Sequence, residues 1–157
     1  MKKILYILAA AICLLTSCKK ELKFPEKLYG DWYCHSTSLT STDVHVYVTF
    51  DVETFVLYQK IGEGAYRIYN GTYTLTQGES GSCTLTGEYS DGTPWATEYV
   101  VVSSSNDVMV FTAGDVTEVY NRVKDGIPAD VKNSASAVKS NGSAENSADG
   151  TDRLRFL

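Results

Sequence analysis

Val44-His45-Val46-Tyr47-Val48-Thr49-Phe50 alternates without a break between apolar residues and polar or amphipathic ones. Successive side chains of a strand point to opposite faces, so Val44, Val46, Val48 and Phe50 share one face while His45, Tyr47 and Thr49 take the other. A strand that is apolar on one side and wet on the other belongs to an antiparallel sheet laid over a core. Outward from this segment the pattern repeats: Cys83, Leu85 and Tyr89 share a face opposite Thr84, Thr86 and Glu88. Eight such segments are predicted, at 31–38, 44–50, 53–60, 65–76, 82–90, 96–103, 108–113 and 115–123. Gly, Asp, Asn and Ser separate them, as in Gly62-Glu63-Gly64, Asp91-Gly92 and Ala113-Gly114. Asn70-Gly71 falls inside a segment and is read as a glycine bulge. One-sided strands with short connections leave two exposed edges unless the sheet closes. The expected fold is therefore all-β, an eight-stranded antiparallel up-and-down barrel over residues 28–131, with a two-sheet sandwich as the competitor.

A chain of 157 residues with 43% hydrophobic content suits one domain and leaves no room for two. Net charge is −5, and no Lys/Arg cluster falls on a predicted strand, so no nucleic-acid partner is expected. In residues 133–150, Ser, Ala, Asn and Gly fill 14 of 18 positions, too little apolar surface to offset ordering entropy. Residues 132–157 are accordingly expected to be a disordered tail, with Arg153-Leu154-Arg155-Phe156-Leu157 as a free end.

The N-terminus reads as an export signal. After Met1-Lys2-Lys3 comes an apolar run over residues 4–15, twelve residues long, against the ~20 needed to cross a bilayer core as a helix. Leu15-Thr16-Ser17-Cys18 resembles the lipobox of bacterial lipoproteins, which implies cleavage after residue 17 and acylation of Cys18 with palmitate-class chains. More than one acyl chain gives stable anchoring, so residues 18–27 would tether the domain to a membrane without spanning it. Lys19 stands where an aspartate would retain a lipoprotein in the inner membrane; the resemblance implies the outer membrane of a Gram-negative bacterium, with the leaflet open. Without residues 1–17 the chain carries 12 basic and 19 acidic side chains, a net charge of −7.

Leu28-Tyr29-Gly30-Asp31-Trp32 opens the first strand with Gly-x-Trp. With the lipobox, the segments around Phe55-Val56-Leu57-Tyr58-Gln59 and Gly87-Glu88-Tyr89, and the ending Val119-Tyr120-Asn121-Arg122-Val123, the chain resembles the lipocalin-like lipoproteins of Bacteroides-type bacteria. It lacks the Thr-Asp-Tyr-type second motif of true lipocalins and their helix near the C-terminus. The resemblance implies fold and location more than activity. In an eight-stranded meander the first and last strands pair antiparallel, which places Trp32 near Arg122; a guanidinium on the indole face would close that end.

Candidate chemistry is sparse. Once residues 1–17 are removed and Cys18 is acylated, Cys34 and Cys83 remain, in a compartment that permits a bridge. Their parity points both inward, but on opposite walls, which favours two buried thiols over a disulfide. Cys34, His35, His45 and Cys83 lack metal-ligand spacing, so no metal or other cofactor is expected. Nucleophile-elbow, zinc-protease and phosphate-loop motifs are absent, and a non-enzymatic protein is expected. Inward candidates for lining a ligand are Leu57, Tyr73, Leu85 and Tyr99, beside Val46, Val48, Phe50, Ile68, Val101 and Phe111. Tyr47, Tyr58 and Tyr69 are assigned outward and Trp95 to a rim after the Asp91-Gly92-Thr93-Pro94 turn; such amphipathic rings suit surface contacts. Two functions follow as expectations: a membrane-anchored binding module for a small apolar ligand, or an interaction subunit that docks an envelope protein through an outer Tyr-rich face.

Overall fold

The alternation of 44–50 becomes a strand buried at every second position, Val44, Val46, Val48 and Phe50 inward. This computed structural model describes residues 26–36, 43–78, 82–137 and 157, with the backbone alone for 103, 104, 136 and 137. The strands are β1 Gly30–Ser36, β2 Val44–Phe50, β3 Thr54–Ile61, β4 Arg67–Gln77, β5 Ser82–Tyr89, β6 Tyr99–Ser105, β7 Val108–Ala113 and β8 Val116–Arg122. A short helix α1, Ala129–Ser134, and a two-residue strand β9, Ser136–Ala137, follow, so a helical turn does form after the last barrel strand, where the sequence reading expected none. Residues 1–17, read above as an export signal, Cys18 and the expected tether up to residue 25 lie outside the described residues.

Each strand pairs antiparallel with its sequence neighbour, and β1 pairs with β8, so the eight strands close into an up-and-down barrel. Closure at the β1–β8 seam is short, with Trp32 opposite Arg122 and Tyr33 opposite Asn121. The Val123 N–H extends it by donating to the Asp31 carbonyl at 2.8 Å. Because strands alternate in direction, the 51–53 and 106–107 turns lie at the same end as Arg122. The 62–66, 90–98 and 114–115 connections lie at the other end.

Two expectations about β4 are corrected. It runs through Asn70 and Gly71 in unbroken register with β3 and β5, so no bulge forms there. A Cβ at Gly71 would come within 2.8 Å of Phe55 Cε1 and of Tyr89 Cα; the glycine provides close approach rather than an extra residue. Without a bulge the parity is continuous, which turns Tyr69 inward with Tyr73 and moves Ile68 to the outer face.

β5 pairs with β4 only as far as Tyr89 opposite Gly71, which leaves the first residues of β4 without β5. β9 fills that gap in parallel, with Ser136 opposite Arg67 and Ala137 opposite Ile68. Residues 132–137 of the expected tail are thus helix and strand, and α1 buries Val131. Residues 138–156 lie outside the described residues, but Leu157 is in the core, 1% exposed, not on a free end.

Candidate functional site

Arg122 builds the closed end. Its Cζ lies 4.1 Å from the centroid of the Trp32 ring. Its nitrogens donate to the carbonyls of Asn106, Tyr29 and Lys27, each at 2.8 Å. The Trp32 indole N–H donates to the Leu28 carbonyl at 2.7 Å, so the turn before β1 is tied across the mouth and Leu28 is fully buried. Gly30 has φ +115°, and a Cβ there would come within 2.7 Å of Arg122 Nη1; only glycine fits beneath the guanidinium.

Above this cap the barrel interior is threaded by aromatic rings. Tyr73, whose hydroxyl donates to the Asp51 carbonyl in the β2–β3 turn, meets Phe50 edge-on at 5.3 Å. Phe50 stacks on Phe111 at 6.1 Å, and Phe111 meets Tyr99 at 6.1 Å. Tyr99 leads to Trp95 at 6.0 Å, Trp95 to Phe55 at 5.2 Å and Phe55 to Tyr89 at 5.6 Å. Tyr69 ends the series, 5.9 Å from Tyr89. Offset and edge-to-face contacts at these spacings are the attractive arrangements for rings. Leu57, Tyr73, Leu85 and Tyr99 all face this interior, with Leu57 and Leu85 fully buried and Tyr99 half-buried.

Trp95 is not a surface ring. The 90–98 connection folds back on β5, with the Trp95 N–H donating to the Gly87 carbonyl at 2.8 Å. The indole then lies on Gly87, where a Cβ would come within 2.7 Å of Trp95 Cδ2. Trp95 is 6% exposed, and its indole Nε1 is a buried donor with no partner among the described residues. A buried donor left unpaired costs about 1–3 kcal/mol, so it marks either strain or a place for an acceptor.

A polar group sits on the β1–β8 wall. Ser36 Oγ donates to Glu118 Oε1 at 2.5 Å and Cys34 Sγ to Glu118 Oε2 at 3.4 Å. Burial first, then the Glu118 carboxylate, pushes the Cys34 thiol up to about 12. Burial alone pushes Cys83 up to about 11. Both cysteines are free and buried. A thiol that donates to a carboxylate has the opposite polarity to an activated thiolate, so this cluster holds structure rather than a nucleophile. Tyr120, wholly buried beside it, has its hydroxyl pushed well up, chiefly by burial. Among the described residues no three His, Cys, Asp or Glu side chains are grouped to hold a metal ion. Glu88, Asp91 and Glu98 are exposed, and Asp91 accepts from the Thr93 N–H at 3.0 Å as a turn former.

On the outer face Tyr47 and Tyr58 are half-buried and opposite one another in register. Tyr47 packs against Tyr33 at 4.6 Å and Tyr66 at 6.1 Å. A cavity of about 430 Å³ lies beside them, lined by Tyr33, Tyr47, Arg122, Gly126 and Pro128 among others. His35 and His45 stack almost parallel, 4.6 Å apart, and the Tyr33 hydroxyl meets His45 Nδ1 at 2.8 Å. A feature that sequence reading passed over lies on β6–β8, where Val102, Val110 and Val119 are cross-strand neighbours. Val102 and Val119 are both exposed. The alternation of β6 carries that signal, since Val100 and Val102 take the parity opposite Tyr99 and Val101.

No family model matches the chain, and no significant similarity to a curated protein or a solved structure is found.

Proposed function

We propose that this protein is a lipocalin-like lipoprotein of the Gram-negative outer membrane, held by acylated Cys18 and acting as a non-enzymatic binding module for a small apolar ligand. The observation that supports it best is the Trp95 indole: Phe55 and Tyr99 pack on its ring, Tyr89 and Tyr69 continue the cluster, and its Nε1 donor has no partner among the described residues. Rings plus one or two placed polar atoms are what small-molecule sites require. An eight-stranded barrel has interior room for packed side chains or one small ligand.

Uptake of a fluorescent apolar probe, N-phenylnaphthylamine, tests this reading against docking through the outer face. Uptake that falls at least about tenfold in Leu85→Trp, which fills the interior, and is unchanged in Tyr58→Ser supports a lumen site. Equal uptake in native chain and Leu85→Trp sinks it. The interaction reading, which rests on the half-buried Tyr33, Tyr47 and Tyr58 and the valine row of β6–β8, is then the one left.

A further inference from the structure

The next described residue before Leu157 is Ala137, yet Leu157 lies inside the barrel core at 1% exposure. It is held there through its main chain: the Tyr89 hydroxyl donates to the Leu157 carbonyl oxygen at 2.6 Å and receives the Leu157 N–H at 3.3 Å. One tyrosine hydroxyl thus reads both polar groups of a single residue, while apolar side chains of the core surround its isobutyl group. Burying a leucine side chain stabilises this placement, and the two hydrogen bonds satisfy main-chain groups that would otherwise be buried unpaired.

We propose that the end of the barrel opposite Arg122 is a binding site for a leucine-bearing peptide segment, and that Leu157 of the same chain is its resident occupant. Main-chain recognition at Tyr89 asks nothing of the guest beyond a peptide N–H and carbonyl; the side-chain site asks for a branched aliphatic group. The sheet has taken on an extra strand at the same place. β5 stops at Tyr89, and the start of β4 beyond it is paired instead with an added strand, β9. Addition of a strand to an open edge with a side chain in a neighbouring pocket is a recurrent way of holding peptides. Tyr89 and Trp95 both pack on Phe55, so the unpaired indole donor belongs to the same ring cluster and offers a second place for a guest carbonyl. Leu157 is tethered 20 residues beyond Ala137, which raises its local concentration to roughly the millimolar range. A ligand that enters this end competes with the chain itself. This inference rests on the barrel interior being a binding site and adds what it binds and what regulates access.

The test uses the full chain and a fluorescein-labelled hexapeptide of residues 152–157, Asp-Arg-Leu-Arg-Phe-Leu. By fluorescence anisotropy, Leu157→Asp is expected to bind the peptide at least about tenfold more tightly than the native chain, because its own occupant is expelled. Adding Tyr89→Phe to that variant is expected to weaken binding about tenfold, and a hexapeptide ending in Asp is expected not to bind. A Leu157→Asp chain with an intact β circular-dichroism spectrum that binds no better than the native chain overturns the proposal. Should that variant not fold, the leucine methyl spectrum of the ¹³C-labelled native chain decides. Leu157 methyls shifted upfield by ring currents, with cross-peaks to Tyr89, support it, and methyls at unstructured positions overturn it. Peptide binding without uptake of the apolar probe defeats the small-ligand reading alone; probe uptake without peptide binding defeats this one alone.

Discussion

Arg122 lies over Trp32, its Cζ 4.1 Å from the ring centroid, and the same two residues face each other where the last strand meets the first. One contact therefore joins barrel closure to end closure. The guanidinium fork reaches three main-chain carbonyls from two separate loops, which a point charge on a flexible stem does not match.

Arg122→Met is expected to cost about 2–3 kcal/mol in denaturant unfolding at unchanged m, from the lost stack and the carbonyls left without a charged donor. Arg122→Lys should recover less than half of that. A loss below about 0.5 kcal/mol for Arg122→Met, typical of a bare surface position, would show that the stack does not hold the seam.

Gly87→Ala drives a methyl group into the Trp95 indole, whose Cδ2 would be 2.7 Å away. Overpacking of this kind costs about 1–3 kcal/mol. The expected signature is a red-shifted tryptophan emission in the native state, read in a Trp32→Phe background so that Trp95 alone reports. Unchanged emission would mean that the indole is not seated on β5.

Much of this was legible in the residue pattern, and the failures share a cause. The barrel follows from one-sided alternation and turn spacing, both local signals. The Trp32–Arg122 contact follows from topology, since a closed meander must bring its ends together. The parity of β4 does not follow, because a glycine that makes room for Phe55 and Tyr89 is indistinguishable in sequence from one that makes a bulge. Trp95 follows a turn, where periodicity has nothing to say. Leu157 is placed by a contact with Tyr89, 68 positions away, which no window of sequence contains.

Cys34 and Cys83 are expected to resist alkylation. With the thiols pushed up to about 12 and about 11 by burial, neither is a thiolate at pH 8. Iodoacetamide followed by peptide mapping should leave both unmodified in the native chain and modify both in guanidinium. Rapid native labelling of either would show that the interior opens to solvent.

His45 makes stability fall on acidification. Desolvation, then the His35 and Lys60 charges, holds its imidazole below the ordinary histidine value of 6.5. The unfolded chain therefore binds more protons in the window just below that value, and stability, complete above it, is lost as pH falls through the folded-state value. Thermal melts from pH 7.5 to pH 5 should show a decline that is smaller in His45→Gln. A decline of equal size in the variant would place the sensitivity elsewhere.

The central claim, a small apolar ligand inside an envelope-anchored barrel, is tested most directly by native mass spectrometry of the full protein purified gently from the membranes of a lipoprotein-producing host. The expected spectrum carries covalent acyl mass on Cys18 and a further mass that is lost under denaturing conditions. A polypeptide mass with no releasable component would contradict the binding claim, and an unacylated Cys18 in the membrane fraction would contradict the anchor.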